Sequence, residues 1–217
     1  MKANVQVIFD SLLERYPKLE VCRQSILEAF DRLCTMYQAD RTLYVLGNGG
    51  SAADSEHIVG ELMKTFKLHR KADKRTVRNL KACYGREGAE LAEKLEGALR
   101  AVSLPSMLCV STAFMNDSDP SAVYAQLVNG LGRKGDVLLA ISTSGNSKNV
   151  LLACMTAHAK GMKTIGLTGK TGGRMKSLCD ITICVPEEET YSIQELHLPV
   201  YHALCAMLEE AFFGEEP

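Results

Sequence analysis

The chain opens with apolar positions at helical spacing. Val5, Ile8, Phe9, Leu12 and Leu13 recur at alternating intervals of three and one residues, and Pro17 interrupts the pattern. A second amphipathic run passes through Val21, Ile26, Leu27, Phe30, Leu33 and Cys34. Residues 1–40 therefore predict a pair of N-terminal helices, which fit a core-covering role and a contact between subunits equally well.

From residue 42 the pattern changes. Short apolar runs at 42–46, 106–111, 136–141, 163–167 and 180–185 read as strands. Between and after them lie helical stretches at about 51–66, 149–160 and 196–212. Nearly continuous apolar strands separated by helices predict an α/β protein whose parallel sheet is covered on both faces. One segment breaks the rhythm. Residues 67–104 are rich in Lys, Arg and Glu, with Leu91, Leu95 and Leu99 at helical spacing. This predicts a charged helical insertion lying over the domain. Its basic start (Lys67, His69, Arg70, Lys71, Lys74, Arg75) reads as a solvated face ahead of a phosphate-steering one. No repeat or low-complexity linker divides the chain, so a single domain over 1–217 is expected.

Composition narrows the function classes. With 217 residues, 46% hydrophobic and 24% charged, the chain has the make-up of a globular protein. Its formal net charge of −1 gives no general pull toward nucleic acid or anionic membranes, so any anion must be held by local geometry. No apolar run approaches the roughly 20 residues of a membrane helix, and residues 1–10 contain no signal-peptide core. A cytoplasmic location is expected. The eight cysteines include no Cys-x-x-Cys pair, and buried free thiols are expected in place of disulfides or a thiolate metal site.

Two loops carry the candidate chemistry. Strand 136–141 runs into Ser142-Thr143-Ser144-Gly145-Asn146-Ser147 and then a helix. A helix N-terminus presents unpaired N–H groups suited to phosphate, and the closely spaced hydroxyls add donors without charge. The plain alternative is a Ser-rich turn capping a helix. Strand 42–46 runs into Gly47-Asn48-Gly49-Gly50-Ser51, also ahead of a helix. No Gly-Lys-Ser/Thr follows it, and the full dinucleotide glycine spacing is missing, so a small polyhydroxylated ligand fits better than a nucleotide.

These two loops, with Leu167-Thr168-Gly169, resemble the sugar isomerase (SIS) fold and, within it, the phosphoheptose isomerase family. The resemblance covers residues 42–66 and 105–210. It implies an SIS-type, three-layer αβα fold and a cytoplasmic homotetramer with its sites at subunit interfaces. The implied reaction is aldose–ketose isomerisation of a phosphorylated sugar such as sedoheptulose 7-phosphate, through an enediol. It also implies one Zn²⁺ per site, held by His57, Glu61, Gln194 and His202, with Glu61 as base and His202 as acid. Asn48, Gly49, Gly50, Ser51, Asn116, Asp117, Ser142, Thr143, Ser144, Ser147 and Gln194 match substrate-contacting positions.

From the residues alone, His57 and Glu61 share a helix face four residues apart, which is more often a surface pair than a metal site. Gln194 and His202 would lie about 12 Å apart along a straight helix. Either the helix begins or bends near Pro199, or the two ligands come from different subunits. His197 between them reads as structural. Two positions depart from the family pattern: Tyr191 stands where an Asp is frequent, and Thr65 where an Arg is frequent. A non-catalytic SIS protein that senses sugar phosphates or docks a partner is the alternative reading.

Overall fold

In the computed structural model, which describes residues 2–214, five parallel strands form one sheet. They are β1 Leu43–Leu46, β2 Ala101–Ser103, β3 Val137–Ile141, β4 Lys163–Thr168 and β5 Ile181–Cys184, in the spatial order β2-β1-β3-β4-β5. Residues 43–46 of β1 pair with Val137–Ala140 of β3, and Leu43–Val45 pair with Ala101–Ser103 on the other side. Sequence order therefore reverses between β1 and β3. In open α/β sheets the crevice outside the carboxyl ends of the strands at such a point is where ligands bind.

Nine α-helices are found among the described residues: α1 Ala3–Arg15, α2 Arg23–Gln38, α3 Gly50–Met63, α4 Lys74–Ala92, α5 Leu108–Asp117, α6 Val123–Leu131, α7 Lys148–Ala159, α8 Met175–Leu178 and α9 Thr190–Phe213. Alternation along β3 divides the core. Val137, Leu139 and Ile141 pack with α1, α2, α3 and α9, while Leu138 and Ala140 pack with α6 and α7 on the opposite face. This is the expected three-layer αβα arrangement. No described helix is long and apolar enough to cross a membrane.

Several expectations need correction. The apolar run 106–111 is no strand: residues from Leu108 begin α5, and the sheet's edge strand is the three-residue β2. That strand lies inside the segment 67–104 expected to be a helical insertion, whose helix α4 ends at Ala92 and kinks at Gly85. Helix α9 starts at Thr190 and runs straight through Pro199, six residues earlier than the apolar pattern indicates. Tertiary packing outweighs the missing Pro199 N–H, for Val200, Tyr201 and Leu204 are all buried. Val21 lies in a 3-10 turn over Pro17–Cys22 and is exposed. All eight cysteines are free, but Cys83 and Cys109 are exposed. Arg70 is fully buried, so it belongs to the interior and not to a solvated basic face.

Candidate active site

The loop after β1 turns on glycine. Gly49 has φ +55°, a left-handed conformation that glycine adopts without strain, and α3 begins at the next residue. A Cβ on Gly50 would lie 2.6 Å from Gln194 Nε2, so the Gln194 amide of α9 rests directly on the start of α3. Ser51 is buried beside the turn.

The loop after β3 is braced from several sides. Ser142 N donates to Leu167 O (3.0 Å), Gly169 N donates to Thr143 O (2.9 Å), and Gly145 N closes a turn onto Ser142 O (3.0 Å). Gly145 has φ +63°, and a Cβ there would collide with the Gly172 carbonyl at 2.1 Å. Ser144 supplies both its hydroxyl and its carbonyl oxygen to Asn146, whose Oδ1 accepts from Arg174 N. The hydroxyls of Ser142 and Ser147 lie 3.1 Å apart. Ser147 is the N-cap residue of α7, yet its side chain caps no backbone N–H. A plain capping role therefore does not account for it.

The two loops are joined by side chains. Asn48 Nδ2 donates to Asn149 Oδ1 (3.0 Å), and Asn149 Nδ2 donates back to Asn48 Oδ1 (2.9 Å). Asn149, in the first turn of α7, was not among the expected site residues. Its only sequence signal is its place two residues after the Ser-rich loop. Asn116 and Asp117 end α5, both exposed and joined to each other at 2.8 Å. The Pro120–Ala122 turn that follows them packs on α7.

Two turns along α3 from the glycine loop, three of the four expected metal-binding side chains meet. His57 Nε2 lies 3.2 Å from Glu61 Oε1 and 3.3 Å from His202 Nε2. The pairing of His57 with Glu61 follows from the i, i+4 spacing on α3, and α9 packed against α3 brings in His202. The three touch in series through His57. No group of three or more His, Cys, Asp and Glu side chains among the described residues encloses a metal-sized point. Glu61 is mostly buried, with its second oxygen 3.3 Å from Lys64 Nζ. Burial, reinforced by the neighbouring His57, lowers the His202 pKa from the ordinary histidine value. A cleft of about 370 Å³ between α1 and α9, lined by Val7, Ile8, Arg15, Phe66 and His202, opens beside the trio. Larger clefts of about 610 and 890 Å³ lie elsewhere and contain none of these residues.

Gln194 does not join them within one chain. It sits over Gly50, eight residues from His202 on an uninterrupted helix. His197, on the same helix, is fully buried with neither ring nitrogen hydrogen-bonded in good geometry. Burial lowers its pKa to about 4, so it is neutral at physiological pH, as a structural role requires. Tyr191 is exposed.

A five-stranded parallel sheet with two polar loops at its switch point is the architecture of an SIS-domain protein. The SIS domain family model matches residues 9–107 and 98–169. The chain belongs to the phosphoheptose isomerase family. It is 41% identical over 172 residues to the phosphoheptose isomerase of Nitratiruptor sp., covering 79% of this chain and 78% of that one. It is 34% identical to that of Rhodospirillum rubrum over 97% and 98% of the two chains. The solved phosphoheptose isomerase of Neisseria gonorrhoeae superposes with a TM-score of 0.72 at 29% identity, covering 95% of this chain and 97% of that one.

Proposed function

We propose that this protein is a zinc-dependent aldose–ketose isomerase that converts sedoheptulose 7-phosphate to a heptose 7-phosphate. The observation that carries the reading is the contact of His57, Glu61 and His202 two helical turns beyond the glycine loop. Its biochemical support is the family membership and the activity for which the relatives are named.

The donor set fits zinc. Two imidazole nitrogens and a carboxylate oxygen are ordinary Zn²⁺ ligands, and here His57 Nε2 lies 3.2 Å from Glu61 Oε1 and 3.3 Å from His202 Nε2. A carboxylate oxygen facing an unprotonated imidazole nitrogen is favourable only when a cation or a proton lies between them. Gln194 is the odd one out. As a fourth ligand it would have to leave Gly50 or come from a second copy of the chain, the latter in accord with a homotetramer whose sites lie at subunit interfaces.

In this reading the phosphate is held by Ser142, Thr143, Ser144 and Ser147 at the N-terminus of α7, where the Ser147 side chain caps no backbone N–H. Asn48, Gly49, Gly50, Ser51, Asn116 and Asp117 meet the sugar hydroxyls, and Gln194 contacts both glycine loop and sugar. Glu61 takes the proton from C1 and returns one to C2, while His202 gives a proton to the carbonyl oxygen at C2 and takes one back from the C1 hydroxyl as the aldehyde forms. Zinc held by His57, Glu61 and His202 would supply Lewis-acid stabilisation of the negative charge that develops beside the reacting carbons. The test is a ketose-phosphate panel on zinc-loaded protein: isomerisation of sedoheptulose 7-phosphate is expected, and none with any ketose phosphate would leave the sensor reading standing.

A further inference from the structure

His57 has a second polar neighbour that the proposed chemistry leaves unused. Its Nδ1 lies 3.1 Å from the hydroxyl of Tyr201, and that hydroxyl lies 3.1 Å from Asp54 Oδ1. Tyr201 is 1% exposed, and its ring packs edge-on against both His57 and His202. Asp54 precedes His57 by three residues, so both project from one face of α3 toward α9.

A tyrosine hydroxyl has one proton to donate, and a carboxylate only accepts. If Asp54 is ionised, the Tyr201 O–H must point to Asp54, leaving its oxygen lone pairs toward His57. His57 Nδ1 must then carry a proton and donate it to Tyr201. The reverse order would give Tyr201 O–H to Nδ1 and leave the Asp54 carboxylate facing an oxygen with no proton between them. Charge-assisted donation to a carboxylate is the stronger of the two bonds. The chain of donors therefore runs from His57 Nδ1–H to Tyr201 and from Tyr201 to Asp54.

We propose that Tyr201, backed by Asp54, is a positioning residue that locks His57 in the Nδ1–H tautomer and turns its Nε2 lone pair toward Glu61 and His202. Metal-binding imidazoles are commonly held by such a partner on the far nitrogen, and losing it typically weakens metal binding about 10–100-fold. The role in metal binding rests on the reading of His57 as a ligand, but the tautomer itself does not. The phenol and the histidine it orients come from different helices, so the device also fixes the contact between α3 and α9.

The test labels the histidine rings of the full chain with ¹⁵N and reads the His57 tautomer by long-range proton–nitrogen correlation. It is run first on metal-free protein at neutral pH, where wild-type His57 is expected to be protonated on Nδ1. In Tyr201→Phe, which keeps the buried ring, the Nδ1–H preference is lost. Zinc affinity, measured by competition with a chromophoric chelator, falls about 10–100-fold. Asp54→Asn keeps an acceptor for the hydroxyl while removing its charge, and gives a smaller change of the same sign. A wild-type His57 protonated on Nε2 overturns the proposal whether or not either variant folds. So does a folded Tyr201→Phe with wild-type tautomer and zinc affinity. A protein that shows the Nδ1–H form but binds no zinc upholds the tautomer lock and sinks the metal reading instead.

Discussion

The Arg70 guanidinium meets the Glu209 carboxylate at 2.7 Å in the interior, where the two side chains are 0% and 1% exposed. Each member of this pair has further partners. Arg70 donates to the carbonyls of Glu61 (2.8 Å) and Leu62 (2.7 Å), closing the last turn of the helix that carries His57 and Glu61. Glu209 accepts from the backbone N–H groups of Phe66, Lys67 and Leu68. The pair thus ties the end of α3, the chain leaving it and the last helix into one unit.

Removing one partner strands a buried charge. Glu209→Gln or Arg70→Met is expected to lower unfolding free energy by about 3–5 kcal/mol, measured by urea denaturation. A change below ~1 kcal/mol would mean that the network is not closed in solution.

Gly145→Ala tests the phosphate loop. An alanine must adopt φ near +63° and overlap the Gly172 carbonyl, so the loop has to move. Losing one or two charge-assisted hydrogen bonds of about 1.5–3 kcal/mol each predicts at least tenfold weaker binding of inorganic phosphate and a matching rise in KM. Titration calorimetry with phosphate reads the first effect without any need for turnover.

His197 predicts an acid limb in stability. Its folded pKa is depressed to about 4 by burial, against about 6.5 when unfolded. Between these values the unfolded chain binds more protons, so the stability contribution is complete above about pH 6.5. It is lost as pH falls toward about 4, at up to roughly 1.4 kcal/mol per pH unit. His197→Phe is expected to remove that part of the slope in thermal melts from pH 4 to 7, and an unchanged slope would assign the acid limb to other groups.

Zinc is tested by its removal. Dialysis against a chelator is expected to abolish turnover, and added Zn²⁺ to restore it, with the circular-dichroism spectrum unchanged throughout. Full activity in metal-free protein would leave Glu61 and His202 to act without a cation.

How far the sequence anticipated this arrangement depended on how local each signal was. Strands β1 and β3 stood out because both faces of each are covered, giving short unbroken apolar runs, and β4 and β5 because their short, mostly apolar stretches follow helical ones. β2 did not, because three residues at the sheet's edge after a charged stretch carry no periodicity. Pro199 concealed the true start of α9, since its penalty is local and its compensation is tertiary. The glycine and serine loops were legible from residue type, as was the His57–Glu61 spacing. The convergence of His202 and the distance of Gln194 depend on how α9 lies against α3, which no spacing along the chain encodes. Arg70 looked like one more member of a basic surface run, and only its partner 139 residues away reveals it as an interior residue.

The central claim is that Glu61 moves a proton between adjacent sugar carbons. Its most direct test is turnover of sedoheptulose 7-phosphate in D₂O, comparing wild type with Glu61→Gln. The wild type is expected to place solvent deuterium at C2 of the aldose product. Glu61→Gln should retain sugar-phosphate binding while isomerisation and deuterium incorporation both fall by about 10²- to 10⁴-fold. Wild-type rates of exchange in Glu61→Gln, or no exchange into any ketose phosphate with zinc-loaded wild type, would contradict it.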